Sequence, residues 1–216
     1  MKCPLCHHPA TLFLEKAERE YVHCSTCDLI SLPEKYFIGQ KDEISRYLKH
    51  ENSLDNTGYV DMFRKKIDVL KKVCPGVKTI LDYGCGYQPV LKTLLNQEGY
   101  LAQEYDLNFF PATRFRPEYD MVISTETFEH LKEPGQDLSS LVSRIASGGY
   151  LAVMTRFYPR NKGVADPLVF SDWYYRKDPT HIAFYCTDTF AWIAESFGFD
   201  IIFNNEKDFI ILKKSS

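Results

Sequence analysis

Two sets of residues in this sequence have the types and spacing to do chemistry. The first is Cys3-x2-Cys6 followed, after seventeen residues, by Cys24-x2-Cys27. Each pair can sit on a tight turn and offer two thiolates to one ion, and two such turns complete a tetrahedral sulfur site for zinc. The second is STETFEHL, residues 124–131, which brings Glu126, Glu129 and His130 within five positions directly after the apolar run Met121-Val122-Ile123. On a helix or helical turn beginning at Glu126 these three share one face. Such a set can hold a divalent ion, act on a substrate as acid and base, or cap a helix, and the local sequence leaves all three open.

The elements around each set define what it can be. Between the cysteine pairs, Thr11-Leu12-Phe13-Leu14 and Tyr21-Val22-His23 read as two short strands flanking a polar turn, so residues 1–32 form a zinc ribbon. A unit of this size buries too little apolar surface to fold alone, and metal ligation supplies the missing stability. His7, His8 and His23 crowd the site, but four cysteines suffice. Of the seven cysteines, the remaining Cys74, Cys85 and Cys186 are scattered, and Cys74 and Cys186 read as small buried residues.

The chain has 216 residues, 44% hydrophobic and 14% aromatic, enough for one domain of ordinary size and a small appendage. No apolar run approaches the ~20 residues that span a bilayer, and Met1-Lys2-Cys3-Pro4 does not open a secretory signal. A cytoplasmic location is the default expectation, in which paired C-x2-C motifs are metal ligands rather than disulfides. A formal charge of −3 argues against general nucleic-acid binding.

From Gly39 to Cys74 the pattern is helical, with 33–56 as a linker and helix before the main domain, 57–216. Val60, Phe63, Ile67 and Leu70 recur on one face, and the lysines and arginines between them make a solvated face. Pro75-Gly76 ends the helix. Strands are expected over 77–81, 100–105, 119–124 and 150–154, and helices over 89–96, 138–146 and 188–197. Gly148-Gly149 is read as the terminator of the second of these helices and Gly198 as that of the third. Ile201–Phe203 and Phe209–Leu212, around Asn204-Asn205-Glu206, predict a C-terminal antiparallel hairpin. Alternating strands and helices imply an α/β fold with a mostly parallel sheet, whose ligands bind at the carboxyl ends of the strands.

The first of those ends reads ILDYGCG. Asp82 closes the strand, and Gly84 and Gly86 let the backbone turn sharply under a ligand. A third glycine is missing and Pro89 stands near its place, which disfavours a pyrophosphate loop. Twenty-four residues after Asp82, Asp106 ends the second strand, placed to accept hydrogen bonds from both hydroxyls of a ribose.

Taken together, ILDYGCG, GYLAQEYDLN, YDMVISTETFEHL and SGGYLAVMT resemble the class I S-adenosylmethionine-dependent methyltransferases, over residues 57 to 213. The resemblance implies a Rossmann-like sheet and a cofactor pocket comprising Asp82, Gly84, Cys85, Gly86, Asp106, Leu107 and Ser124. Gly84, Cys85 and Gly86 would pass beneath the methionine part, and Asp106 would hold the ribose. One departure stands out: only twelve residues separate Asp106 from Tyr119, so the usual third strand and its helix are shortened or missing. The acidic residue that commonly meets the adenine there has no counterpart.

The acceptor is written less plainly. Methyl transfer from a sulfonium needs alignment and exclusion of water more than it needs a base. No N/D-P-P-Y/F run follows Ser124, and no Pro-Cys pair, so exocyclic amino and cytosine C5 methylation are disfavoured. E-x-x-E-H followed about fifty residues later by D-x-x-H-x-x-F is similar to the metal site of small-RNA 2′-O-methyltransferases, and an E-x-x-E-H run also occurs in quinone-biosynthesis O-methyltransferases. That resemblance implies a divalent ion, magnesium or manganese, among Glu126, Glu129, His130 and His181, lowering the pKa of an acceptor hydroxyl. E-H-L after the fourth strand is also widespread in methyltransferases that need no metal.

Residues 155–181 are rich in proline, glycine and aromatics, and predict a lid or acceptor-pocket wall. Arg156, Arg160 and Arg176 are placed to bind a carboxylate or phosphate. The function expected is O-methylation of a small or carrier-bound metabolite. An RNA methyltransferase that uses the ribbon to bind RNA, and a non-catalytic cofactor-binding regulator, are the alternatives. Oligomeric state is not written in the sequence.

Overall fold

A computed structural model describes residues 1–49, 52–111 and 114–215. The N-terminal segment forms β1 (Thr11–Lys16), β2 (Arg19–His23) and β3 (Ile30–Ser31), and then α1 (Gln40–Tyr47). The main unit runs α2 (Thr57–Val73), β4 (Thr79–Tyr83), α3 (Val90–Gln97), β5 (Leu101–Tyr105), β6 (Tyr119–Thr125), α4 (Pro134–Val142) and β7 (Ile145–Met154). After the small hairpin β8 (Arg160–Asn161) and β9 (Val164–Ala165) come α5 (Pro167–Asp172), β10 (Ala183–Phe184), α6 (Thr187–Phe197), β11 (Phe199–Asn204) and β12 (Phe209–Lys214).

The central sheet has the order β11-β12-β7-β6-β4-β5. β5, β4, β6 and β7 are parallel, whereas β12 and β11 form the expected antiparallel hairpin at the other edge. The direction of winding reverses between β4 and β6, so the crevice for a ligand opens at their carboxyl ends. Alternate side chains of β6 feed two cores. Met121 and Ile123 pack with Val60, Phe63, Leu91 and Leu95 of α2 and α3, and Val122 packs with Leu138, Leu141, Phe190 and Ile193 of α4 and α6.

The helical pattern predicted over 39–74 divides into α1 and α2. The Asn56 side chain accepts the Tyr59 N–H at 3.1 Å, an N-cap that starts a new helix. Val60, Phe63, Ile67 and Leu70 are its buried face, as the periodicity predicts. The helix expected over 138–146 lies earlier, at 134–142, because Pro134 is suited to a first helical turn. Gly148-Gly149 does not end it. Those glycines lie inside β7, where a Cβ on Gly149 would stand 2.8 Å from the Asp120 carbonyl oxygen and the register with β6 shifts. Among the described residues nothing regular lies between β5 and β6, so the sheet ends at β5 where a third strand was in question.

The N-terminal segment is not a free appendage. β1, β2 and β3 make one sheet with β10 from the far end of the chain. Leu5 and Leu29 belong to the same core as α4 and α6. Gly135 has no room for a side chain, since a Cβ there would be 2.4 Å from the Leu5 carbonyl oxygen.

Candidate active site

At the end of β4 the chain turns through Gly84 (φ 79°) and Gly86 (φ 69°), a left-handed backbone that suits glycine. The two glycines answer different needs. A Cβ on Gly84 would lie 2.2 Å from Thr127 Oγ1, and the Thr127 hydroxyl donates to the Gly84 carbonyl at 3.1 Å. A Cβ on Gly86 would meet nothing within 4 Å, so open space lies above the loop. Asp106 faces this loop from the end of β5. Its carboxylate accepts the Gly86 N–H at 3.1 Å and the Asn108 and Phe109 N–H groups at 2.8 and 3.1 Å. Leu107 beside it is 74% exposed.

Buried polar atoms without partners mark the same crevice. Among the described residues they are both carboxylate oxygens of Asp82, the Ser124 hydroxyl and Glu129 Oε2. Such groups are rare in folded proteins and call for an explanation. Burial raises the Asp82 carboxyl to about 7. A carboxylate so placed suits a cationic ligand, and S-adenosylmethionine carries both a sulfonium and an ammonium. The residues therefore fit that cofactor. Beside Tyr87, a cavity of about 640 Å³, lined also by Leu48, Lys49, Asn56 and Thr57, lies within the size range of small-molecule sites.

Past the end of β6 the chain makes a left-handed step at Glu126 (φ 50°), then a 3-10 turn over Phe128–His130. Glu129 is buried, and Glu126 is exposed on the wall of the cleft. The Tyr175 hydroxyl joins them, donating to Glu129 Oε1 and lying 3.1 Å from Glu126 Oε2. The protein packed around them raises both carboxyls above the usual range, and each is eased by that hydroxyl. Ligand atoms of Glu129, His130 and His181 lie within 4.8 Å of one another. Glu126 stands outside this cluster, linked to it through Tyr175.

Both imidazoles are held the same way. His130 Nδ1 is 2.9 Å from the Thr180 carbonyl oxygen, and His181 Nδ1 is 2.8 Å from the Tyr175 carbonyl oxygen. A carbonyl only accepts, so each Nδ1 carries a hydrogen. Burial lowers both histidine pKa values, that of His181 to about 3, so both rings are neutral at pH 7. Each Nε2 therefore keeps a free lone pair, the tautomer of a metal-ligating histidine whose other nitrogen is anchored.

The four N-terminal cysteines also converge. All four sulfurs lie within 4.8 Å of one another, with Cys3–Cys27 at 3.5 Å and Cys6–Cys24 at 3.4 Å. Four thiolates on a zinc ion are about 3.8 Å apart, from a Zn–S bond of about 2.3 Å. The two turns repeat each other. Asp28 N–H bonds the Cys24 carbonyl as His7 N–H bonds that of Cys3, and both His7 and Asp28 have left-handed φ. The donor set fits zinc. His23 is not part of it, since its Nε2 pairs with Asp28 at 2.7 Å.

The 155–181 segment divides between structure and site. Tyr158 and Phe170 are buried against Tyr21 and Ile30, and Arg176 is buried on the Ser171 carbonyl oxygen. Arg160 pairs with Asp188, and Arg156 lies 3.8 Å from Asp208. All three arginines thus have partners within the protein, whereas Tyr175 and His181 reach the cluster.

The sequence profile of a methyltransferase-domain family matches residues 58–203. The chain belongs to this family. Several solved methyltransferase structures share its fold. An O-methyltransferase family protein from Burkholderia thailandensis is 16% identical, with a TM-score of 0.56 over 80% of this chain and 62% of that one. The chain therefore spans less than two thirds of that neighbour. Haemonchus contortus phosphoethanolamine N-methyltransferase 2, bound to S-adenosyl-L-methionine, is 14% identical, with a TM-score of 0.55 over 80% of this chain and 60% of that one. A SAM-dependent methyltransferase from Archaeoglobus fulgidus is 18% identical, with a TM-score of 0.50 over 72% of this chain and 94% of that one. No curated protein gives a significant sequence match.

Within this methyltransferase domain, Thr127 and Tyr175 do structural work at the site that their sequence positions do not advertise. Thr127 lies inside STETFEHL, but only the close approach to Gly84 reveals why a small β-branched hydroxyl stands there. Tyr175 is one of six aromatics in its segment, and nothing local separates it from Trp173 or Tyr174.

Proposed function

We propose that the protein transfers a methyl group from S-adenosylmethionine to an oxygen of a small or carrier-bound acceptor, with a divalent ion at Glu129, His130 and His181. The observation that carries this is the pair of histidines with both Nδ1–H groups spent on carbonyl oxygens, facing a buried carboxylate oxygen without a partner. Oxygen and imidazole ligands together suit magnesium, manganese, iron or zinc. The ion would supply Lewis-acid activation of an acceptor hydroxyl, and the cofactor an already activated methyl group.

The chain's own residues do the rest. Asp106 and the open backbone at Gly86 hold and orient the cofactor, and Asp82 offers the compensating charge. Glu126, exposed on the cleft wall with a raised carboxyl, is placed to take the acceptor's proton, with Tyr175 passing hydrogen-bond polarisation to Glu129. The cysteines would hold a structural zinc. Because β3 pairs with β10, the ribbon braces the wall that carries His181, which supports this role over that of an independent RNA-binding module.

Titrating manganese into chelator-treated protein, followed by electron paramagnetic resonance, tests the ion, and calorimetry with S-adenosylhomocysteine tests the cofactor. Binding of both is expected. Failure of manganese to bind, or of a Glu129→Gln variant to weaken it, removes the metal from the proposal. A screen of hydroxylated metabolites for S-adenosylhomocysteine release separates the enzyme from a non-catalytic regulator.

A further inference from the structure

Helix α1 buries none of its side chains, yet it touches both halves of the cleft. At its first residue, Gln40 Nε2 donates to Asn108 Oδ1 at 3.0 Å, and the Asn108 N–H is held by the Asp106 carboxylate at 2.8 Å. At its last residue, the Tyr47 ring stands edge-on to the His130 ring, 5.3 Å between centroids. At the residue before it, Arg46 forks onto Asp178, with Nε at 2.8 and 2.9 Å and Nη2 at 2.6 Å from its oxygens. A helix whose Ile44 and Tyr47 are only half-buried, and which is held by polar contacts at both ends, depends heavily on those contacts to stay shut.

Asp178 is the junction through which that fork reaches the site. Its Oδ1 also accepts the Thr180 N–H at 3.0 Å and the Thr180 hydroxyl at 2.6 Å, and its carbonyl accepts the His181 N–H at 3.2 Å. The Thr180 carbonyl oxygen in turn holds His130 Nδ1. One carboxylate thus shapes the short turn from which both histidines are oriented. A bidentate guanidinium fixes the plane and position of a carboxylate in a way a single contact does not.

We infer that α1 is a lid across the cofactor and acceptor sites, latched by Arg46 on Asp178, and that this latch makes Arg46 a positioning residue for His130 and His181. A cofactor that orders the Asp106 loop stabilises the Gln40 end, and the closed helix then presents Arg46 to Asp178. The inference rests on reading Glu129, His130 and His181 as the acceptor centre, but its test needs neither the ion nor the acceptor.

The experiment combines hydrogen-exchange mass spectrometry with limited trypsin digestion of the full chain, with and without saturating S-adenosylhomocysteine. In the wild type the ligand should slow cleavage after Lys41 by about tenfold, and Arg46→Ala should abolish that protection. Arg46→Ala should also speed exchange of the 178–183 amides by about tenfold while β4 and β6 change less than about twofold. Arg46→Lys, which keeps the charge and loses the fork, should fall between, and Gln40→Ala should reduce protection at Lys41 without touching 178–183. Calorimetry confirms in each variant that ligand is bound, which separates failure of the lid from failure of cofactor binding. Unchanged exchange at 178–183 in Arg46→Ala overturns the inference. So does equal ligand protection in Arg46→Ala and wild type, or a uniform rise in exchange that includes β4 and β6.

Discussion

The proposed cofactor half and the proposed acceptor half of the cleft are built in opposite ways. Asp82, Gly84, Gly86 and Asp106 lie on two adjacent parallel strands and their loops, within twenty-five residues of chain. The acceptor half draws Glu129 and His130 from one turn, Tyr175 and His181 from another some fifty residues later, and its bracing strand β3 from the N-terminus. The first half is held mostly by contacts between neighbouring loops, while the second depends on contacts between distant elements, among them the Thr180 carbonyl on His130 and the Tyr175 hydroxyl on Glu129. The contrast implies that the two halves can fail separately, the acceptor half first.

Removing the cysteine site should have the largest effect. Cys24→Ser with Cys27→Ser should take zinc from one atom per chain to none, forfeiting metal-linked folding free energy of about 10 kcal/mol or more. Elemental analysis and exchange of β3 and β10 would read it. Retained binding of S-adenosylhomocysteine keeps the halves distinct; its loss would merge them. Next, His181→Ala should abolish manganese binding while leaving S-adenosylhomocysteine affinity unchanged by calorimetry. Asp106→Ala should do the reverse, weakening the cofactor by about tenfold to a hundredfold through lost hydrogen bonds to a charged acceptor.

Gly84→Ala tests a place where the halves touch. Its Cβ would enter Thr127, and its φ of 79° disfavours any side chain, so stability should fall by about 1–3 kcal/mol in urea unfolding. In a double-mutant cycle, Thr127→Gly should recover part of the loss. The smallest effect concerns pH. Burial raises the Asp178 carboxyl, but Arg46 and Thr180 outweigh it and hold the pKa below its ordinary value. A depressed carboxyl lends stability that is fully present above the unfolded value of about 4 and is lost as pH falls through the folded value. Arg46→Ala should therefore cost more stability at pH 6 than at pH 3, and equal losses would count against the pair.

Much of the cofactor half is legible in the linear sequence because each part is a local demand. A left-handed turn selects glycine, a strand end selects its carboxylate, and the periodicity of Val60, Phe63, Ile67 and Leu70 is a face of one helix. The errors fall where packing overrides a local signal. Gly148-Gly149 resembles a helix terminator, but the crowding of Gly149 by the Asp120 carbonyl places both glycines in a strand. The division of 39–74 into two helices depends on the Asn56 cap, one side chain among many polar ones. Glu126 shares a sequence motif with Glu129 and His130, and the structure links it to Glu129 through the Tyr175 hydroxyl.

By itself the sequence determined the α/β class, the phosphate-free glycine loop with its two aspartates, the C-terminal hairpin and the pairing of cysteines into two turns. These follow from backbone conformations and periodicities that a few neighbouring residues impose. Only the tertiary structure decided that Tyr175 bridges two glutamates, that Asp178 sets both histidines and that the N-terminal sheet continues into β10. The contacts of Tyr175 with the glutamates, of Thr180 with His130 and of β3 with β10 join residues dozens to more than a hundred positions apart, and chain entropy allows them only once the two cores have already formed.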